Sequence, residues 1–116
     1  LWEMFEGHPN LLPAYFEGDP GAAALAGNYV RKPLLSRQGA NIEIVRDGTT
    51  QSSSDGPYGE EDYIVQAFHP LPEFDGNYPL VGCWLIASKA VGLCIREDRS
   101  LVTGTEARFI PHVILD

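Results

Sequence analysis

The sequence predicts an α+β unit built on an antiparallel sheet, and three observations predict it. From Tyr29 onward apolar residues recur at the spacing of strands rather than of helices. Six such runs, 29–34, 41–46, 62–68, 78–87, 90–96 and 108–114, are bounded by clusters of Gly, Pro, Asn and Asp. Helical signals are confined to the first 27 residues. The expected organisation is one domain over 1–116, with a helical lead-in over 1–27 and a mainly β region over 28–116.

In the lead-in, Leu1, Trp2, Met4, Phe5, Leu11, Leu12, Tyr15 and Phe16 are interrupted by Gly7, Pro9 and Pro13, which allows one or two short helical turns. Asp19-Pro20-Gly21 before AAALAG predicts a short helix capped by Asp19 and stopped by Gly27-Asn28. Alternation in the first strand places Asn28, Val30, Lys32 and Leu34 on one face, so the Lys32 ammonium sits between apolar side chains. Removing a charge from water costs several kcal/mol unless it is paired. Three readings stay open: a ligand phosphate, a distant carboxylate, or a lysine snorkelling from an edge strand.

The chain carries net charge −8, yet 20–42 contains no Asp or Glu while Arg31, Lys32 and Arg37 fall inside it. The connection 36–41 then brings Gly39 among small residues. It reads either as a plain hairpin turn or as backbone N–H groups able to approach phosphate oxygens closely. Segment 47–61, DGTTQSSSDGPYGEE, is polar and lacks apolar anchors, which predicts a mobile excursion off a hairpin. In the third strand Ile64, Gln66 and Phe68 share a face. An amide between apolar neighbours before the linker His69-Pro70-Leu71-Pro72 suits a flat heteroaromatic ring, or is satisfied by neighbouring backbone.

Run 78–87 is apolar on both faces and predicts a central core strand. In 90–96, Gly92, Cys94 and Arg96 share the face opposite Val91, Leu93 and Ile95. That leaves a guanidinium beyond two small residues, with room for a ligand. Arg96 is placed either to fork onto a carboxylate or phosphate or to pair with Glu97, Asp98 or another acid.

Composition narrows the function classes. At 44% hydrophobic and 21% charged residues, the chain has the make-up of a folded domain. The acidic balance argues against nucleic-acid binding. No apolar run approaches the roughly 20 residues that span a bilayer, so a soluble, cytoplasmic protein is expected. Cys83 and Cys94 read as buried free thiols, or as a disulfide if their strands pair opposite one another. His8, His69 and His112 lack metal-ligand spacing and read as structural. Glu60-Glu61-Asp62 reads as a solvated loop end, and no metal ligand is assigned.

Taken together, LLPAYF, YVRKPLLSRQGANI, YIVQAFHPLP, YPLVGCWLI, GLCIRED and RFIPHVI resemble, in order and over nearly the whole chain, the C-terminal part of the glutathionylspermidine synthase-like ATP-grasp family. The branch resembled most is that of stand-alone candidate acid–amine ligases. The resemblance implies a glutathione synthetase ATP-binding-like fold. It implies an enzyme that joins a carboxylate to an amine through an acyl phosphate, with ATP and magnesium as cofactors and a small carboxylic acid or peptide and an amine as partners.

By the same resemblance Lys32 meets the nucleotide phosphates and Gln38-Gly39 belong to the lid loop over them. Gln66, Ala67, Phe68 and His69 form the hinge at the adenine, and Leu101 lines the pocket wall. Arg96 corresponds to an arginine that closes over the reacting groups, and Arg108 to one on the substrate side. Ser36 stands where the family commonly has glycine, and Gln38 where it often has an acid. The family's magnesium ligands and another phosphate-binding lysine are expected upstream of Leu1, so the chain alone is expected to be catalytically incomplete. The alternative is a non-catalytic nucleotide- or peptide-binding module on the same scaffold.

Overall fold

Antiparallel pairing of short strands organises the chain. A computed structural model describes residues 1–115, and its contacts divide the chain into two units, Leu1–Pro70 and Leu71–Asp116. The division falls within the HPLP linker. The helices of the described residues are two short 3-10 helices, Trp2–Met4 and Pro20–Leu25.

The first unit is a five-stranded sheet of β1 (Ala14–Phe16), β2 (Tyr29–Pro33), β3 (Glu43–Arg46), β4 (Thr49–Ser53) and β5 (Tyr63–Ala67). The strand order is β1-β5-β2-β3-β4, with every pair antiparallel. Pairing of Val30 with Gln66 and Ile44, and of Lys32 with Ile64, puts these side chains on one face, because residues directly opposite in a ladder point the same way. Tyr15, Val65, Arg31 and Glu43 occupy the other face by the same logic.

The helix Pro20–Leu25 packs on this second face: a Cβ added at Gly21 would lie 2.7 Å from the Tyr15 ring. Trp2 meets the same tyrosine edge to face at 6.4 Å. Asp19 caps the helix as its sequence predicts, its carboxylate accepting from the Gly21 N–H at 2.7 Å. Leu25, Val45 and Val65 are buried, as is Ile44 on the first face.

Two expectations for this unit are corrected. The lead-in is not purely helical, since Ala14–Phe16 forms the edge strand β1. Nor is 47–61 simply an excursion. Asp47 and Gly48, at φ 50° and 71°, form the two-residue hairpin turn that requires positive φ at both positions, and β4 follows at once. Beyond β4 the chain is tied back, with the Ser54 N–H donating to the Ile42 carbonyl at 2.9 Å and the Tyr58 N–H to Asn41 Oδ1 at 2.9 Å.

The second unit is a three-stranded antiparallel sheet, β6 (Tyr78–Ile86), β7 (Lys89–Asp98) and β8 (Arg108–Ile110), in that order. Ala87 and Ser88, at φ 48° and 63°, make the β6–β7 turn. The expectation of a central core strand at 78–87 fails here. β6 lies at the edge, and Val81, Trp84 and Leu85 are 62–68% exposed. Its two-sided apolar pattern is real, but neither face is buried in this unit. No helix among the described residues is long and apolar enough to cross a membrane.

Candidate functional site

The first face of the five-stranded sheet gathers the chemistry. Lys32 on β2 and Gln66 on β5 are diagonal neighbours across the ladder, and the Lys32 ammonium donates to Gln66 Oε1 at 2.8 Å. Both side chains are half-buried, framed by Val30 and Ile64. Among the described residues no carboxylate lies within salt-bridge distance of Lys32. Burial without a counter-charge pushes the Lys32 ammonium below its ordinary pKa of 10.5. Of the readings open in the sequence, the distant intrachain carboxylate is excluded among the described residues. Lys32 is also no edge-strand lysine, because β2 lies between β5 and β3.

The rest of the basic cluster divides. Arg31 lies on the opposite face, where it donates to both Glu17 oxygens, one at 3.0 Å, and stacks 3.5 Å above the Tyr63 ring. Its guanidinium is held above its usual range, and Glu17 below its own, chiefly by the hydrogen bonds they share. Arg31 is therefore neutralised within the fold. In its place the first face gains Arg46, whose guanidinium lies 5.4 Å from the centre of the Phe68 ring. Arg46 gives little signal in the sequence because it ends a strand next to Asp47. The alternation Ile44, Val45, Arg46 already placed it beside Ile44, on the face of Val30.

The loop 36–41 is a tight, internally bonded turn. Gln38 and Gly39 adopt φ 57° and 73°, the left-handed region that glycine enters without steric cost. Ser36 Oγ donates to the Ala40 carbonyl at 2.7 Å, and Ser54 Oγ donates to the Gly39 carbonyl. Ser36 thus contributes a loop-closing hydrogen bond.

At the proposed hinge, the Ala67 N–H donates to the Pro13 carbonyl at 2.8 Å and the Phe68 N–H to the Asn28 carbonyl at 3.2 Å. Those two donors are occupied by the sheet. His69 is exposed, and its backbone N–H has no partner among the described residues.

The remaining expected site residues lie in the second unit. Arg96 on β7 faces Leu80 on β6 and Phe109 on β8. It has no ion-pair partner among the described residues. With Gly82, Trp84 and Cys94 these residues line a shallow trough of about 440 Å³; Cys83 borders it too, but its ladder position opposite Leu93 turns its side chain to the other face. The pairing with Glu97 or Asp98 that sequence left open is not made. Glu97 instead accepts from Arg108 at 2.7 Å, and Asp98 accepts from the Ser100 and Gly104 N–H groups at 3.1 and 2.9 Å.

These backbone donors hold the Asp98 carboxyl below its usual range and shape the loop that carries the half-buried Leu101. Arg108 also donates to Asn77 Oδ1 at 2.8 Å. Since Arg108 pairs with Glu97 and Arg96 with Phe109, the two arginines point to opposite faces of their sheet. Cys83 and Cys94 are likewise on opposite faces, opposite Leu93 and Gly82 respectively, so they cannot bridge; both are free, and Cys83 is exposed rather than buried.

Residues 1–115 match the family described as glutathionylspermidine synthase preATP-grasp. The chain is similar to a candidate acid–amine ligase of Haemophilus influenzae, at 40% identity over 97% of this chain and 30% of that protein. It is similar to a trypanothione synthetase of Crithidia fasciculata, at 32% identity over 94% of this chain and 19% of the relative. With the bifunctional glutathionylspermidine synthetase/amidase of Escherichia coli it shares 29% identity over 99% of this chain and 18% of the relative. The chain thus spans less than a third of the length of each.

Proposed function

Since the chain belongs to the glutathionylspermidine synthase preATP-grasp family, we propose that it forms the nucleotide-binding, C-terminal portion of an ATP-grasp ligase joining a carboxylic acid or peptide to an amine. The observation that carries this reading is Lys32, a half-buried ammonium with a neutral amide as its partner and no counter-charge among the described residues. Such a cation gains most from an anion brought in by a ligand, and a polyphosphate supplies one.

ATP, when bound, would supply the phosphoryl group that activates the acid as an acyl phosphate, releasing ADP; the amine would then form the C–N bond at the acyl carbon as inorganic phosphate leaves. Lys32 attracts and holds phosphate oxygens, and Arg46 adds positive potential on the same face. Gln38 and Gly39 close over the phosphates. Gln66 to His69 would hold the adenine, with the His69 N–H the backbone donor left for its edge. In the second unit, taken by itself, the family resemblance gives Leu101 the role of apolar wall, Arg96 that of steadying anionic reacting groups, and Arg108 a place on the substrate side.

Magnesium would accompany the nucleotide. However, no group of three or more His, Cys, Asp or Glu among the described residues gathers as a metal site, so no ligand to it is assigned in this chain. A cytoplasmic setting, where ATP is supplied, completes the proposal.

Isothermal titration of the full-length protein with ATP tests it. Lys32→Ala should weaken binding at least tenfold, about 1.4 kcal/mol, and unchanged affinity removes Lys32 from the phosphate site. ATP consumption should require magnesium, an acid and an amine together. Binding without consumption for any such pair returns the non-catalytic module.

A further inference from the structure

The trough on the β6–β7–β8 sheet has a composition unlike a phosphate site. Its floor is low because glycines face larger residues across the ladder: Gly82 pairs with Cys94 and Gly92 with Trp84. A Cβ at Gly82 would come within 2.8 Å of Cys94 Sγ, so the thiol lies over bare backbone. Above this floor stand Leu80, Trp84 and Phe109, the two aromatic residues 62% and 70% exposed. The cation facing into this apolar trough is Arg96, which makes no ion pair among the described residues.

An apolar surface beside an unneutralised guanidinium complements one kind of small molecule, an anion carrying a hydrocarbon body. A planar carboxylate can accept two parallel N–H donors from the guanidinium, while its chain covers the rings. A polar peptide would leave its amides facing Leu80, Trp84 and Phe109 without partners, at a cost.

We infer that this trough binds a carboxylic acid with an apolar chain, its carboxylate on Arg96 and its chain against Trp84 and Phe109. Naming that acid as the ligase's own acid substrate rests on the reading above; the binding site does not.

Cys94, in the trough, and Cys83, on the opposite face, supply an internally controlled assay. The full-length protein is treated with N-ethylmaleimide in the presence of hexanoate, hexanamide or acetate, and alkylation at each cysteine is followed by peptide mass spectrometry. Hexanoate should protect Cys94 and leave Cys83 unchanged. Acetate should need a higher concentration, by about two- to fourfold per missing methylene, and hexanamide at least tenfold more. Arg96→Gln should raise the half-protecting hexanoate concentration at least tenfold.

Phe109→Ala, a truncation at an exposed position, should weaken hexanoate more than acetate and keeps the question answerable if the arginine variant misfolds. Equal protection by hexanoate and hexanamide, equal protection of both cysteines, or indifference to Arg96→Gln overturns the inference. No nucleotide is present in this assay, so its failure leaves the Lys32 reading standing, and failure of ATP binding leaves this one.

Discussion

Replacing Lys32 by Met should stabilise the protein and weaken its hold on ATP. The two side chains have similar reach, so packing between Val30 and Ile64 is kept while the charge and the hydrogen bond to Gln66 at 2.8 Å are lost. A hydrogen bond to a charged group contributes about 1.5–3 kcal/mol. Against it stands the desolvation of an ammonium, several kcal/mol for a fully buried ion and a fraction of that here. The lowered pKa of Lys32, caused by burial, says that the fold disfavours the charged form. Gln66 is only half-buried, so water can replace its lost donor.

The balance is a gain of about 1 kcal/mol for Lys32→Met, a rise in Tm of about 2–8 °C depending on the size of the cooperative unit. Nucleotide affinity should fall at least tenfold, about 1.4 kcal/mol. The sign of the pH dependence follows from the same shift. In the alkaline window between the lowered native pKa and the ordinary 10.5 the unfolded chain binds more protons. Wild-type stability therefore gains a contribution as pH rises through that window, and Lys32→Met should lack it. Scanning calorimetry and ATP titration of both proteins decide the matter. A variant that melts lower and binds ATP unchanged would refute the claim that Lys32 is held in the fold for a ligand.

At the acid end the signs reverse. Glu17 and Asp98 have native pKa values below their ordinary 4.5 and 3.8, so each contributes stability that is complete above the ordinary value and lost as pH falls through the lowered one. Asp98→Asn should flatten the acid limb of a Tm-against-pH curve and cost about 1 kcal/mol at neutral pH; an unchanged limb removes Asp98 as the loop's organiser. Gly27→Ala should cost more, about 2 kcal/mol or above. Gly27 has φ 76°, an added Cβ would lie 2.9 Å from the Gly48 backbone nitrogen, and left-handed backbone costs a Cβ-bearing residue about 1–2 kcal/mol. A denaturant midpoint within error of wild type would contradict that close approach. Limited digestion with a glutamate-specific protease should cut first at the exposed Glu60 and Glu61, with Glu43, inside β3 and bonded to Thr50 at 2.6 Å, resisting; the reverse order would remove the β3–β4 hairpin.

Five of the six strands expected from alternation form within about two residues of the bounds read from sequence, and the sixth, over 108–114, keeps only Arg108–Ile110. Pattern is strongest where β-branched and aromatic residues alternate. What escaped has physical reasons. β1 is three residues long after a proline, too short to show a period. β4, TTQSS, has no apolar face because it is an edge strand. Yet Asp47-Gly48 is a sufficient hairpin signal, and reading it would have recovered the strand. Run 78–87 differs in kind. Two-sided apolarity does not say that a segment is flanked on both sides: β6 lies at the edge of its sheet, with Val81, Trp84 and Leu85 exposed. At the site, β-period alone placed Lys32, Gln66 and Phe68 on one face. Proximity in sequence groups Arg31 and Arg37 with Lys32, whereas period 2 separates Arg31 from it.

The same period bears on the two arginines of the second unit. Arg96 and Arg108 are on adjacent strands, but their ladder partners, Phe109 and Glu97, put them on opposite faces, so the sheet's own backbone separates the two guanidinium groups. They therefore cannot clamp one phosphoryl or carboxylate group together, and a mechanism that uses both must give them different ligands. Arg108 already has Glu97 and Asn77, and its exposed ion pair contributes little to stability. An incoming anion would have to compete with that carboxylate for a guanidinium largely screened by water. Arg96 has no ion pair to break and sits among apolar side chains that weaken screening, where a charge interacts more strongly with a ligand than the same charge in water. If one arginine of this sheet stabilises developing charge, the geometry selects Arg96. Arg108 holds Glu97 and Asn77 in register at the edge formed by β8, and any substrate group it meets lies on the other face of the sheet from Arg96.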